Sequence, residues 1–232
     1  MKIKLLGLLS LLLLASPVAF ANDVYITQSG ASLDLDITQD VQNNKVGNST
    51  TDANLSGASM TFSVTQTGST NVLQADVVGD SVTVDVDVTG STNDIVLNCD
   101  ASEAKSCDNV DIDVDITDAN AGSGDGNDVD IDIATTASSD DSDVTLSLTG
   151  DTNTANIDID GDSAPVSITS TGSLNTFNVD VDGDGDVAGH SVTLNHTGSS
   201  GVFDVTVSGV YDSNVDVTTS GASADVDITI TD

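Results

Sequence analysis

The sequence predicts an all-β protein, a flattened β-solenoid of about eight strand-arc-strand rungs that form two parallel sheets. Three observations carry this expectation. Short strands of strict period-two alternation recur along the chain; Val82, Val84, Val86 and Val88, for example, alternate with Thr83, Asp85, Asp87 and Thr89. That spacing puts four valines on one face of a half-buried strand. Seven strands run into a Ser/Thr-Gly turn, and four of those turns close with an asparagine three residues past the glycine, at Gly68/Asn71, Gly90/Asn93, Gly150/Asn153 and Gly172/Asn175. Several of these glycines are 22 or 23 residues apart, a period at which each unit buries its apolar face only against its neighbours.

The elements follow in order. Residues 1–21 read as a secretory signal peptide: Lys2 and Lys4 are the charged start, Leu5 to Leu14 the apolar stretch, and Ala19-Phe20-Ala21 the cleavage site. Residues 22–232 read as one repeat domain, with units at 24–39, 60–78, 82–98, 110–133, 144–160, 166–182, 192–207 and 215–230. Two short one-faced strands bury themselves most simply face to face, with units stacked about 4.8 Å apart in a rod about 35–40 Å long. Insertions at 40–58, 99–109, 117–128 and 134–143 are expected to loop out of the turns. An antiparallel sandwich or barrel is the alternative for regularly spaced short strands. The first rung starts near the mature N-terminus and the last ends at Ile230-Thr231-Asp232, so both ends read as uncapped.

All 38 acidic residues follow the cleavage site, where only Lys45 and Lys105 are positive, giving 2 − 38 = −36 for the mature chain. Such charge argues against nucleic acid as a partner and for cations or cationic surfaces. High charge with 3% aromatic residues also fits a disordered chain, but disorder does not require strict alternation. No later run of about 18 apolar residues marks a membrane span. Cys99 and Cys107 are the only cysteines, and in an exported chain they read as a disulfide.

Outward aspartates such as Asp111, Asp113 and Asp115 are expected to stack at about 4.8 Å on those of adjacent rungs and to need neutralising. No cofactor is required, and calcium is the candidate ligand. Asp180, Asp182, Asp184 and Asp186 sit at alternate positions around Gly183 and Gly185 like the start of a calcium loop, although Ser191 stands where the closing Glu belongs. Asp158, Asp160 and Asp162 form a shorter echo. No catalytic constellation emerges: every Ser or Asp that could be grouped with His190 or His196 occupies a repeating position, so no enzyme is expected. Thr67, Thr89, Thr149, Thr171 and Thr197 form a column at turn entries, not the mid-strand TxT pairs of an ice-binding face.

The best unit reads Ser63-Val-Thr-Gln66-Thr-Gly68-Ser-Thr-Asn71-Val-Leu-Gln74, and the first reads Ile26-Thr27-Gln28-Ser29-Gly30. These resemble the repeat of curlins, subunits of the bacterial amyloid fibres called curli, in a divergent and Asp-rich form. Gln39 and Asn44 look like a further Gln/Asn pair, while the Gln slot of later units holds Val88, Leu148, Ser170, His196 or Thr219. The resemblance implies a secreted or cell-surface structural subunit of a Gram-negative bacterium that self-assembles into extracellular amyloid-type fibres for matrix, adhesion or biofilm. It also implies an outer-membrane export channel and a nucleator as partners. The turn residues expected to fix the arc are Gln28, Gly30, Gln66, Gly68, Asn71, Gly90, Asn93, Gly150, Asn153, Gly172, Asn175, Gly198 and Gly221. A monomeric calcium-dependent acidic adhesin or surface-layer module is the alternative function.

Overall fold

The alternating strands form as their pattern demands, because each can bury its β-branched face only against another strand face. The computed structural model describes residues 23–231 apart from 41–42, 48–49, 51, 69, 91, 102–106, 108, 118–125, 136–141, 162, 184–189, 210–212 and 222. The signal-peptide reading of 1–21 lies outside the described residues, as do Asp184 and Asp186.

The chain opens with β1 (Asp23–Val24), β2 (Thr27–Ser29), β3 (Leu33–Asp40), β4 (Lys45–Val46) and β5 (Ala53–Ser56). It continues with β6 (Met60–Thr67), β7 (Thr70–Val78), β8 (Val82–Thr89), β9 (Thr92–Ala101), β10 (Val110–Thr117), β11 (Asp128–Thr135) and β12 (Asp143–Thr149). The last strands are β13 (Thr154–Asp160), β14 (Pro165–Thr171), β15 (Asn175–Asp182), β16 (Ser191–Thr197), β17 (Gly201–Ser208), β18 (Asn214–Ser220) and β19 (Ala224–Thr231). An eight-stranded sheet runs in the order β3-β6-β8-β10-β12-β14-β16-β18, and an eleven-stranded sheet runs β1-β4-β7-β9-β11-β13-β15-β17-β19, with β5 bridging β2 and β7. Among the described residues every pairing is parallel. The fold is therefore a β-solenoid of two parallel sheets and not an antiparallel sandwich. Among the described residues no helix is long and apolar enough to cross a membrane.

Each rung is one strand of the smaller sheet, a first arc, one strand of the larger sheet, and a second arc to the next rung. The count differs slightly from eight: β6/β7 to β18/β19 make seven complete rungs, and β3 is followed by a strand split into β4 and β5. The first unit is correspondingly displaced from 24–39, because β1 and β2 belong to the larger sheet and pair with β4 and β5. Segment 40–58 is not looped out, since Lys45–Val46 and Ala53–Ser56 both pair with β7. The other insertions are trimmed by pairing: β9 runs on to Ala101, β11 spans Asp128–Thr135, and β12 starts at Asp143.

Register puts like on like. One inward column reads Ile37, Val64, Val86, Val114, Leu146, Ile168, Leu194 and Val217. Inward residues of both sheets form a single core, in which Phe62, Phe177 and Phe203 are the largest fully buried side chains. Phe177 and Phe203 stack with ring centroids 5.5 Å apart and planes within 6°, an offset arrangement that adds to their area burial. Cys99 and Cys107 are joined as a disulfide with Cα atoms 6.0 Å apart, and both are buried.

Candidate functional site

The first arc is built by four residues. In the rung of Gly150, the glycine takes φ 149° and Thr152 takes φ 66°; Gly172 and Leu174 repeat this with 148° and 61°. The left-handed third residue reverses the chain so that the fourth, asparagine, points into the core. Asn71, Asn93, Asn127, Asn153 and Asn175 are all buried and lie one above another. Asn71 Nδ2 donates to Asn93 Oδ1 at 3.0 Å, Asn93 Nδ2 to Asn127 Oδ1 at 2.7 Å, and Asn127 Nδ2 to Asn153 Oδ1 at 2.8 Å. Asn153 N then donates to Asn175 Oδ1 at 2.9 Å. Below Asn71, the carbonyl of Asn44 accepts from Val72 N at 2.9 Å, which places Asn44 in the same column. Apart from Asn44 Oδ1 and Asn71 Oδ1, which are buried without a partner, side chains that would each be costly to bury alone are hydrogen-bonded to one another, as stacked amides are in cross-β assemblies.

A glutamine pair accompanies the first rungs: Gln66 Nε2 donates to Gln39 Oε1 at 2.8 Å. Above Gln66 the column becomes Val88, Ile116, Leu148, Ser170, His196 and Thr219. The asparagine column ends at Gly201, which pairs in register with Asn175, because the Phe203 ring fills the space where a side chain at 201 would begin.

One expectation needs correction. Gln28 and Gly30 do not belong to this arc. Gly30 N donates to Ser56 O and Gly57 N to Val78 O, and Gly79 lies against the Gly57 carbonyl. Gly30 therefore opens the second arc, whose glycines Gly57, Gly79, Gly161, Gly183 and Gly209 the sequence reading missed. Gly90 needs no left-handed backbone; it must be glycine because a Cβ there would overlap the Gly68 carbonyl oxygen. The remaining arc residues, Gln66, Gly68, Asn71, Asn93, Gly150, Asn153, Gly172, Asn175, Gly198 and Gly221, all fall on the first arc.

The terminal rungs present what the middle hides. Val86, Val114 and Leu146 are fully buried, whereas Val226, Ile228 and Ile230 of β19 are 39%, 41% and 45% exposed. Val24, Leu35 and Ile37 at the other end are only partly buried, as are Val215 and Val217 of β18. Val24 and Val226 are the two ends of one inward column of the larger sheet. In the smaller sheet, Leu35 and Val215 end one column and Ile37 and Val217 another. Among the described residues, β1, β3, β18 and β19 end their sheets and have no in-sheet neighbour on one side.

The outer faces carry the acid. Asp113 pairs with Asp85, Asp115 with Asp87, Asp158 with both Asp132 and Asp180, and Asp160 with Asp182. Partial burial, then the neighbouring carboxylates Asp85, Asp111, Asp115 and Asp87, push the Asp113 carboxyl above the usual range. Burial followed by acidic neighbours also raises Asp87, Asp94, Asp130, Asp143 and Asp180. A carboxyl raised in the folded state binds its proton more readily there than in the unfolded chain. Stability therefore rises as pH falls through the folded pKa and is lost as pH rises through it. Asp113→Asn is accordingly expected to stabilise the protein at neutral pH by about 0.5 kcal/mol, or roughly 1–2 °C, and to lose this advantage in acid or high salt. Thermal melts at several pH values and salt concentrations check it.

Asp180 and Asp182 both point outward from β15, and Asp182 Oδ1 accepts from Ser208 Oγ at 2.6 Å. Among the described residues no group of three or more His, Cys, Asp or Glu side chains is placed to hold a metal ion. No family model, curated protein or solved structure matches this chain.

Proposed function

We propose that the chain is a secreted, curlin-like structural subunit that joins to itself end to end and builds an extracellular fibre of amyloid type for matrix, adhesion or biofilm. One observation carries this reading: the two open ends are the two ends of the same inward columns. A second copy set in register on β18 and β19 would place Leu35 over Val215, Ile37 over Val217 and Val24 over Val226. Both strands of the joint would run parallel to their neighbours, as every strand within the subunit does. The contact is head to tail and does not close, which is the geometry that generates filaments. An export channel in the outer membrane and a surface nucleator are the partners such a subunit calls for.

The same register would place Asp23 over Asp225 and Asp36 over Asp216, so the joint forms only where carboxylate repulsion is relieved. Negative-stain electron microscopy of the purified mature chain, with calcium and with a chelator, tests the proposal. Uniform unbranched fibres in either sample support it, and fibres with calcium alone show that the carboxylates must first be neutralised. Discrete short rods in both samples overturn it and leave the monomeric calcium-dependent adhesin as the better reading.

A further inference from the structure

The rung of β16 and β17 breaks the polar pattern of its predecessors. One rung earlier, the core-facing pair at the arc is satisfied across it, with Asn175 Nδ2 donating to Ser170 Oγ at 2.8 Å. Register carries Ser170 onto His196 and Asn175 onto Gly201. The acceptor has become an imidazole and its partner has lost its side chain. His196 is only 3% exposed, and neither ring nitrogen has a hydrogen-bond partner. Its ring lies 5.1 Å from that of Phe203, tilted by 56°.

We infer that His196 makes the last two rungs, β16 to β19, acid-labile. An imidazolium needs charge-stabilising acceptors for two N–H groups, and neither ring nitrogen has a partner here. In the smaller sheet it is flanked by Ser170 of β14 and Thr219 of β18; across the core it meets Phe203 of β17. None of these carries charge. The nearest strands do hold acids, namely Asp180 and Asp182 on β15, Asp204 on β17, Asp216 on β18, and Asp225 and Asp227 on β19, but all occupy outward positions. His190, the other inward histidine, precedes β16 at its far end, roughly 20 Å along the strand. Protonation is accommodated by opening the rungs that bury the ring.

Burial holds the His196 imidazole below the usual value of 6.5. The folded rungs then bind fewer protons than the opened ones, so their stability is full above about pH 6.5 and falls as pH drops below it. This is opposite in sign to the outer carboxyls, so acid strengthens the Asp-rich middle and loosens the C-terminal end. The consequence for growth rests on the end-to-end reading: acid withdraws β18 and β19 from the joint.

Hydrogen exchange of the full monomeric chain, corrected for intrinsic rates, tests the inference without any fibre being formed. Between about pH 7.5 and 5, opening of 191–231 is expected to increase by up to about tenfold per pH unit below 6.5, with no such rise in 82–117. His196→Phe and His196→Gln, the latter restoring the residue type at 39 and 66, should each remove that dependence. Equal pH slopes in wild type and variants overturn the inference. The imidazole titration of wild-type His196 by NMR needs no variant, and a midpoint at or above about 6.5 overturns it too. Absence of fibres at every pH would instead overturn the assembly reading and leave this result standing.

Discussion

Gly172→Ala is expected to abolish the cooperative folding of the stack, at a cost above about 4 kcal/mol. Two demands meet at this residue. Its φ of 148° is one that side chains rarely adopt, and a Cβ would overlap the carbonyl oxygen of Gly150 in the rung below. Backbone cannot yield there, because Gly150 N donates to Thr171 O and Gly172 N to Thr197 O, both at 2.9 Å. The matched control is Gly221→Ala, with φ 151° and the same overlap with Gly198, but in the last rung. That variant should lose order only in β18 and β19. Circular dichroism melts with urea titrations read both, and a Gly172→Ala protein that melts within about 2 °C of wild type would exclude this account of the arc.

Asn153→Ala is expected to cost about 3–5 kcal/mol, far beyond a surface amide. Asn153 Nδ2 donates to Gly150 O at 2.8 Å while its Oδ1 accepts from Asn127 Nδ2 at 2.8 Å. Alanine removes both partners at a fully buried position, each worth about 1–3 kcal/mol when stranded, and leaves a cavity besides. Asn178→Ala is the comparison, since its bond to Asn156 is equally short at 2.8 Å but exposed, and its loss should cost less than about 0.5 kcal/mol. Similar destabilisation by the two substitutions would show that the buried ladder contributes no more than a surface pair.

The strands were legible because period two is a local signal that parallel pairing leaves intact: Val82 to Val88 read as an inward face and are one. The arcs were only half legible. Asn127 joins the ladder and stands three residues past Ser123-Gly124, the spacing of the other ladder asparagines, but that dipeptide follows a long insertion and not a strand, so the signal was present in the sequence and went unread. Gln28-Ser29-Gly30 was misassigned because its letters match Gln66-Thr67-Gly68, whereas arc identity depends on which sheet the preceding strand joins. That is a property of the whole stack and not of four residues. The second-arc glycines escaped for a related reason: at Gly57 and Gly79 a Cβ would overlap the carbonyls of Gly30 and Gly57 in the neighbouring turn, and at Gly183 it would meet the His190 ring, contacts that no local spacing announces.

In-register parallel stacking also determines how the molecule would respond to a pull. Neighbouring strands are covalently close, with Met60 paired to Val82 only 22 residues on, so tension applied at the C-terminus meets one rung at a time and never shears a whole sheet at once. Each yielding rung would release about 75 Å of chain, a series of small regular steps in place of one rupture. The Cys99–Cys107 bond, spanning a sequence separation of 8, would shorten one step of that series. A thread made of such units would stretch by paying out rungs in order and would wind them back when slack.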